Sequence, residues 1–158
     1  MPQGIQKPSN QVLAAGDPLR VEMEIGANAT AAKMLAGRIV VFDDADQTVK
    51  ECSAKETGEV FILDVQPDEV EATAYAVGDA AIVIVGECIA KLTLLASENV
   101  TRGDPLVTAA DGKVAKQAVG AMGGQGKVIG YAWETSNVTT DAEILVHWCP
   151  SAEPAAAS

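Results

Sequence analysis

The longest apolar run in the chain, Ala80–Val85, is only a strand's length, and it is boxed in by Gly78-Asp79 on one side and Gly86-Glu87 on the other. A run of that length, rich in β-branched residues and closed by turn residues, fits a strand and cannot span a bilayer. Its apolar character on alternate and adjacent positions alike predicts burial on both faces. After the Gly86 turn, Cys88–Leu95 returns as the partner of a hairpin, with Lys91 and Thr93 expected on a wetter face.

The same grammar runs through the sequence. Arg20–Ile25 alternates polar and apolar residues strictly, as a half-buried strand does. Arg38–Phe42, Thr48–Cys52, Glu59–Val65, Lys127–Glu134 and Glu143–Trp148 are further strand candidates. In Lys127–Glu134, Val128, Gly130 and Ala132 share one face, and Ile129, Tyr131 and Trp133 the other. Between Gly26 and Gly37, NATAAKMLA is expected to form a short helix capped by Asn28. The expected fold is therefore mainly β, a compact barrel-like or sandwich-like domain with a short helical segment. Met1–Leu19, broken by prolines and glycines, reads as an extended N-terminal arm. Residues 20–149 form the β-rich body, in two lobes of about 20–72 and 73–149 if it is divided. The Gly-rich stretch 117–126 reads as a flexible loop and 150–158 as a flexible tail.

One phrase recurs. Gly16-Asp17-Pro18-Leu19 and Gly103-Asp104-Pro105-Leu106 are identical, and Gly78-Asp79 begins in the same way. Glycine permits an unusual backbone angle, aspartate accepts local backbone hydrogen bonds, and proline holds its predecessor extended. The phrase launches a strand from a corner. That context makes Arg102-Gly103-Asp104 a turn rather than an adhesive tripeptide. Asp111-Gly112, between strand candidates Pro105–Thr108 and Lys113–Lys116, has the residues of a tight hairpin turn. At longer range, residues 37–65 and 103–134 follow one pattern: VVFDDADQTVKE matches PLVTAADGKVAKQ, and GEVFILDV matches GKVIGYAW. An internal duplication is one reading of that likeness.

The chemistry-bearing residues do not assemble into a reaction centre. The one histidine, His147, and Cys149 share a side of a strand but lack further ligands at metal spacing. Asp43, Asp44 and Asp46 lack the glycine and terminal glutamate of a calcium loop. GAMGGQG at 120–126 is followed by no Lys-Ser or Lys-Thr, so it is not a phosphate loop. No catalytic, cofactor-binding or metal-binding residues are assigned, and no cofactor is expected. The formal charge of −11 disfavours nucleic acid and anionic lipid as partners. Met1–Asn10 has no apolar core of a secretory signal. Cys52, Cys88 and Cys149 are odd in number and widely spaced, which fits free thiols in a reducing compartment.

Over about residues 76–148 the chain resembles the capsid decoration, or cement, proteins of tailed viruses of bacteria and archaea. The residues that carry the resemblance are Gly86, Gly103-Asp104, Leu106-Val107, Asp111-Gly112-Lys113-Val114 and Ile129-Gly130 with Ala132. The resemblance implies a non-enzymatic β-rich protein, made in the host cytoplasm and carried on the outer capsid surface of the virion. Its partners would be the major capsid protein and itself, as a homotrimer, and its role to hold the shell against internal pressure. Residues 20–72 are an addition to a minimal member. Under this reading the arm pairs with an exposed strand edge, with Ile5, Val12 and Leu13 as apolar anchors. Gly16, Asp17, Gly86, Gly103, Asp104, Asp111, Gly112 and Gly130 form structural turns, and Trp133 and Trp148 serve the core or a subunit interface. The alternative is a carbohydrate-binding or adhesion module on a virion or cell surface, with Trp133 as its platform; a hydrolase with dispersed carboxylates is a third.

Overall fold

A computed structural model of the chain describes residues 5–66, 69–118 and 126–150. The expected tail beyond 150, and residues 119–125 of the expected Gly-rich loop, lie outside them. The described residues form thirteen strands: β1 (Leu13–Ala15), β2 (Leu19–Ile25), β3 (Ile39–Phe42), β4 (Thr48–Glu51), β5 (Phe61–Leu63), β6 (Ala80–Val85), β7 (Cys88–Leu94), β8 (Asn99–Val100), β9 (Pro105–Ala109), β10 (Lys113–Lys116), β11 (Gly130–Ala132), β12 (Ser136–Asn137) and β13 (Ala142–Trp148). The fold is mainly β, as the short turn-bounded apolar runs require.

Ten of these strands make two closed five-stranded barrels. In the first, β2 pairs parallel with β4 and antiparallel with β6, β3 pairs with β4 and β5, and β5 pairs with β6. In the second, β7 pairs parallel with β10 and antiparallel with β13, β9 pairs with β10 and β11, and β11 pairs with β13. The two connectivities are the same, strand for strand. The stretches that look alike in sequence, 37–65 and 103–134, supply the same three strands of each barrel. The hairpin expected of Ala80–Val85 and Cys88–Leu95 does not form: β6 pairs with β2 and β5, β7 with β1, β10 and β13, and the Gly86-Glu87 bend only links the last strand of one barrel to the first of the other, so the barrels divide there. The expected boundary near residue 72 lies instead inside the first barrel, where Tyr75 is buried among the core residues.

Alternation along the strands builds two interiors. Val40, Phe61, Leu63, Ala81 and Val83 fill the first barrel together with Ile25 and Met34. Their neighbours Ile39, Val41, Ile62 and Ile84 point outward and pack into the other apolar cluster with Leu92, Leu94, Val146 and Trp148 of the second barrel. The double-sided apolar character of Ala80–Val85 has this cause: Val83 serves the barrel interior and Ile84 the junction. The hairpin turn at Asp111-Gly112 is at the same junction. Both residues have positive φ, 63° and 75°, and a Cβ on Gly112 would come within 2.9 Å of Arg38 and 3.0 Å of the Ile39 carbonyl.

Two sequence expectations are corrected here. NATAAKMLA forms only a 3-10 turn at Ala31–Lys33. Asn28 does not cap it; its side chain bonds Asp43 and Asp44 instead. A segment this short cannot nucleate a helix against the pull of Met34, which is buried in the first barrel and accepts a bond from the Tyr75 N–H. Lys91, expected on a wet face, is 3% exposed.

Candidate interaction surface

The described part of the N-terminal arm lies on the second barrel. β1 pairs antiparallel with β7, and the Lys91 N–H donates to the Val12 carbonyl at 2.8 Å. Val12 is fully buried in the core and Leu13 packs against it from the edge. In this conformation Val12 is a core residue, closed to any outside partner. Lys91 fastens the arm from below: its Nζ donates to the Pro8 carbonyl and to Glu71 Oε2, each at 2.8 Å, with Glu143 Oε2 at 3.3 Å. Lys7 fastens it from above, donating to the Glu143 carbonyl and pairing with Glu134, each at 2.8 Å. A sequence reading misses this clasp because its members, 7–8, 71, 91, 134 and 143, are dispersed along the chain.

The predicted turn residues are in corners except Gly130, which is not a turn but the first residue of strand β11, paired with Trp148 and Leu106. Gly16, Gly86 and Gly103 have φ of 102°, 105° and 93°. Asp17 is exposed beside buried Pro18, just before β2. Gly78-Asp79 and Gly103-Asp104 make the same corner: Asp79 Oδ2 accepts from the Ala76 N–H and Asp104 Oδ2 from the Thr101 N–H, each at 2.8 Å. Each corner also exchanges two backbone bonds with a strand end, with Ile25 in one case and Ala132 in the other. Asp104 is further paired with Lys116 at 3.0 Å, so its carboxylate is committed within the chain. The Thr101 N–H and then Lys116 hold its carboxyl below the usual 3.8. Gly130 is required by proximity, since a Cβ there would sit 2.3 Å from the His147 carbonyl oxygen across the β11–β13 pair.

The tryptophans part company. Trp148 is fully buried and fills the second barrel. Trp133 is 41% exposed and Tyr131 43% exposed on the outer side of the β11 segment. Trp133 meets the His147 ring edge to face at 6.2 Å. His147 Nε2 is 2.7 Å from Glu87 Oε1. Ile5, Tyr131, Trp133 and His147 border one open cavity of about 580 Å³ together with Arg102. Trp133 and His147 also border a second, of about 410 Å³, with Ala15 and Ile89. Of the expected apolar anchors, Ile5 alone joins this aromatic shelf.

Other chemistry does not converge among the described residues. They contain no group of three or more His, Cys, Asp or Glu side chains placed to hold a metal ion. Burial pushes the Cys52 thiol up to about 12 and the Cys88 thiol to about 11, far from a reactive thiolate. Among the described residues no helix is long and apolar enough to cross a membrane.

No protein-family model matches the sequence, and no curated protein matches it. The fold is similar to that of the head fiber gp8.5 N base of bacteriophage phi29, with a TM-score of 0.51 and 18% identity, covering 87% of this chain and 98% of that one.

Proposed function

We propose that the chain is a non-enzymatic virion protein that binds the outer surface of an assembled capsid as a homotrimer and stabilises the shell against internal pressure. The observation that carries this reading is the extent of the structural likeness. Nearly the whole of a phage head-fiber base is matched, so the similarity is to the paired barrels and not to one common sheet motif. The clasped arm and the aromatic shelf add to it. A rigid body with exposed Trp and Tyr beside Arg has the composition of protein-binding surfaces. Many copies gripping one lattice would multiply weak single contacts.

The exposed Trp133 and Tyr131 also support a second reading, a carbohydrate-binding module, because sugar sites use aromatic faces as platforms. It is the weaker of the two. The shelf's polar side chains His147 and Glu87 are bonded to each other, which leaves few groups to orient a sugar's hydroxyls.

Sedimentation separates the readings. The purified chain is mixed with expanded and with unexpanded undecorated shells and pelleted. Pelleting with expanded shells is the expected result. Protein left wholly in the supernatant at concentrations well above micromolar overturns the capsid reading, and glycan binding lost in Trp133→Ala would then establish the other.

A further inference from the structure

The shelf carries a cation without a counter-charge. Most Lys and Arg side chains of this acidic chain are held by its own carboxylates, Arg20 by Asp64, Lys113 by Asp141 and Lys116 by Asp104 among them. Arg102 is exposed at the rim of the cavity bordered by Tyr131 and Trp133 and, among the described residues, pairs with no carboxylate. Elsewhere the chain displays the opposite combination. Phe42 is 50% exposed at the end of β3, stacked edge to face on Phe61 at 5.1 Å. Exposed Asp44 and Asp46 follow it in the β3–β4 turn, while Asp43 is turned inward to the Asn28 amide. Asp46 pairs with no cation among the described residues.

The Phe42 and Arg102 ends of the two patches lie away from the packed junction at Ile39 and Gly112, while the shelf's His147 reaches Glu87 at the link between the barrels. Ile39, at the other end of β3 from Phe42, is the residue against which Gly112 packs. Ala109, at the other end of β9 from Arg102, accepts the Cys52 thiol hydrogen bond. Each patch is therefore at the outer end of its strand, on a different barrel. Between two molecules the unlike patches can meet head to tail, able to close into a ring, or reciprocally about a two-fold axis.

We propose that the Arg102–Tyr131–Trp133 face docks on Phe42 and the Asp46 turn of a second copy of this chain. An aromatic residue beside carboxylates meets two aromatics beside a guanidinium, which matches shape class with shape class and charge with charge. The inference rests on the self-association contained in the functional reading, and it names the two surfaces that would carry it.

Light-scattering mass of the full chain over a concentration series tests it, with Arg102→Glu, Asp46→Lys and the two combined in one chain. Both changes are on exposed side chains, and the buried Trp148 emission verifies that each of the three variants is folded. The wild type is expected to associate. Each single variant should raise the dissociation constant on the order of 30-fold, the size of an interface hot spot, and the combined variant should regain most of the loss. Association unchanged in both single variants overturns the assignment while leaving self-association intact. A wild type that stays monomeric throughout the series also overturns it, and pelleting with expanded shells then decides separately whether capsid binding stands. Loss in both variants without recovery in the combined one removes the Arg102–Asp46 pairing.

Discussion

Lys91 carries its ammonium group into a place that strand alternation assigns to solvent. The alternation itself is intact: Leu92 and Leu94 enter the barrel and Lys91 points the other way. What covers it is the arm and the loop at Glu71, which come from far along the chain, and no local pattern announces them. Two carboxylates and a carbonyl satisfy the buried ammonium. Lys91→Ala removes the cation and strands Glu71, which is itself mostly buried, so a loss of about 3 kcal/mol is expected in urea unfolding. Lys91→Met keeps the packed stem and should cost less. A loss near zero for both would mean that the arm is held by Val12 alone. Asp104 offers a second test at this scale. Its carboxyl is held below the ordinary value by the Thr101 N–H and then by Lys116. A depressed folded pKa gives stability that is present above the unfolded value and lost as pH falls through the folded one. The stability gap between wild type and Asp104→Asn should therefore be widest near neutral pH and close as the solution is acidified below about 4. A gap that is constant with pH would show that the charge contributes nothing.

Elements differ in how openly the sequence declares them. The corners were legible because their chemistry is local: glycine and aspartate at 78–79 and 103–104 produce the same bonds wherever they occur. The hairpin at Asp111-Gly112 was legible for the same reason. The stretch 28–36 misled because its alanines favour a helix only when enough turns can form, and burial of Met34 decides its path instead. The bend at Gly86 is legible, but the hairpin expected around it is not what forms, since nothing local tells two strands that pair with each other from two strands that enter different barrels. Strand β11 shows how a single position can control an element. Its Gly130 faces Trp148 in register, and a side chain there meets the His147 backbone at 2.3 Å, which cannot retreat without breaking the β11–β13 pair. Gly130→Ala should cost at least about 2 kcal/mol by urea melting. Gly58→Ala, where an added Cβ meets nothing within 4 Å, should stay within about 0.5 kcal/mol of wild type. Equal effects at the two positions would remove the steric argument.

At the scale of the whole molecule, the repeated connectivity raises the question of whether the two barrels behave as two proteins. The core answers through its arrangement. Ile39, Ile62 and Ile84 of the first barrel belong to the same apolar cluster as Leu92, Val146 and Trp148 of the second, and none of the six is more than 1% exposed. Separating the barrels would expose the junction residues to water, at about 25 cal/mol for each Å² of apolar surface. The outward faces of β3, β5 and β6 are thus a hydrophobic interface and not a solvated surface, which is why these strands read as continuously apolar in sequence. The barrels should accordingly unfold together. Trp148 reports on the interior of the second barrel, and the Cys52 thiol, hydrogen-bonded across the junction to Ala109, reports on the seam. In urea, the red shift of tryptophan emission and the reactivity of the Cys52 thiol toward a labelling reagent should share one midpoint. Ile84→Ala, which empties part of the seam while leaving the first barrel's interior intact, should lower that midpoint for both signals by the equivalent of about 3 kcal/mol. If Cys52 instead becomes reactive at a clearly lower urea concentration than Trp148 emission shifts, the barrels are separable units and the apolar seam is too weak to couple them.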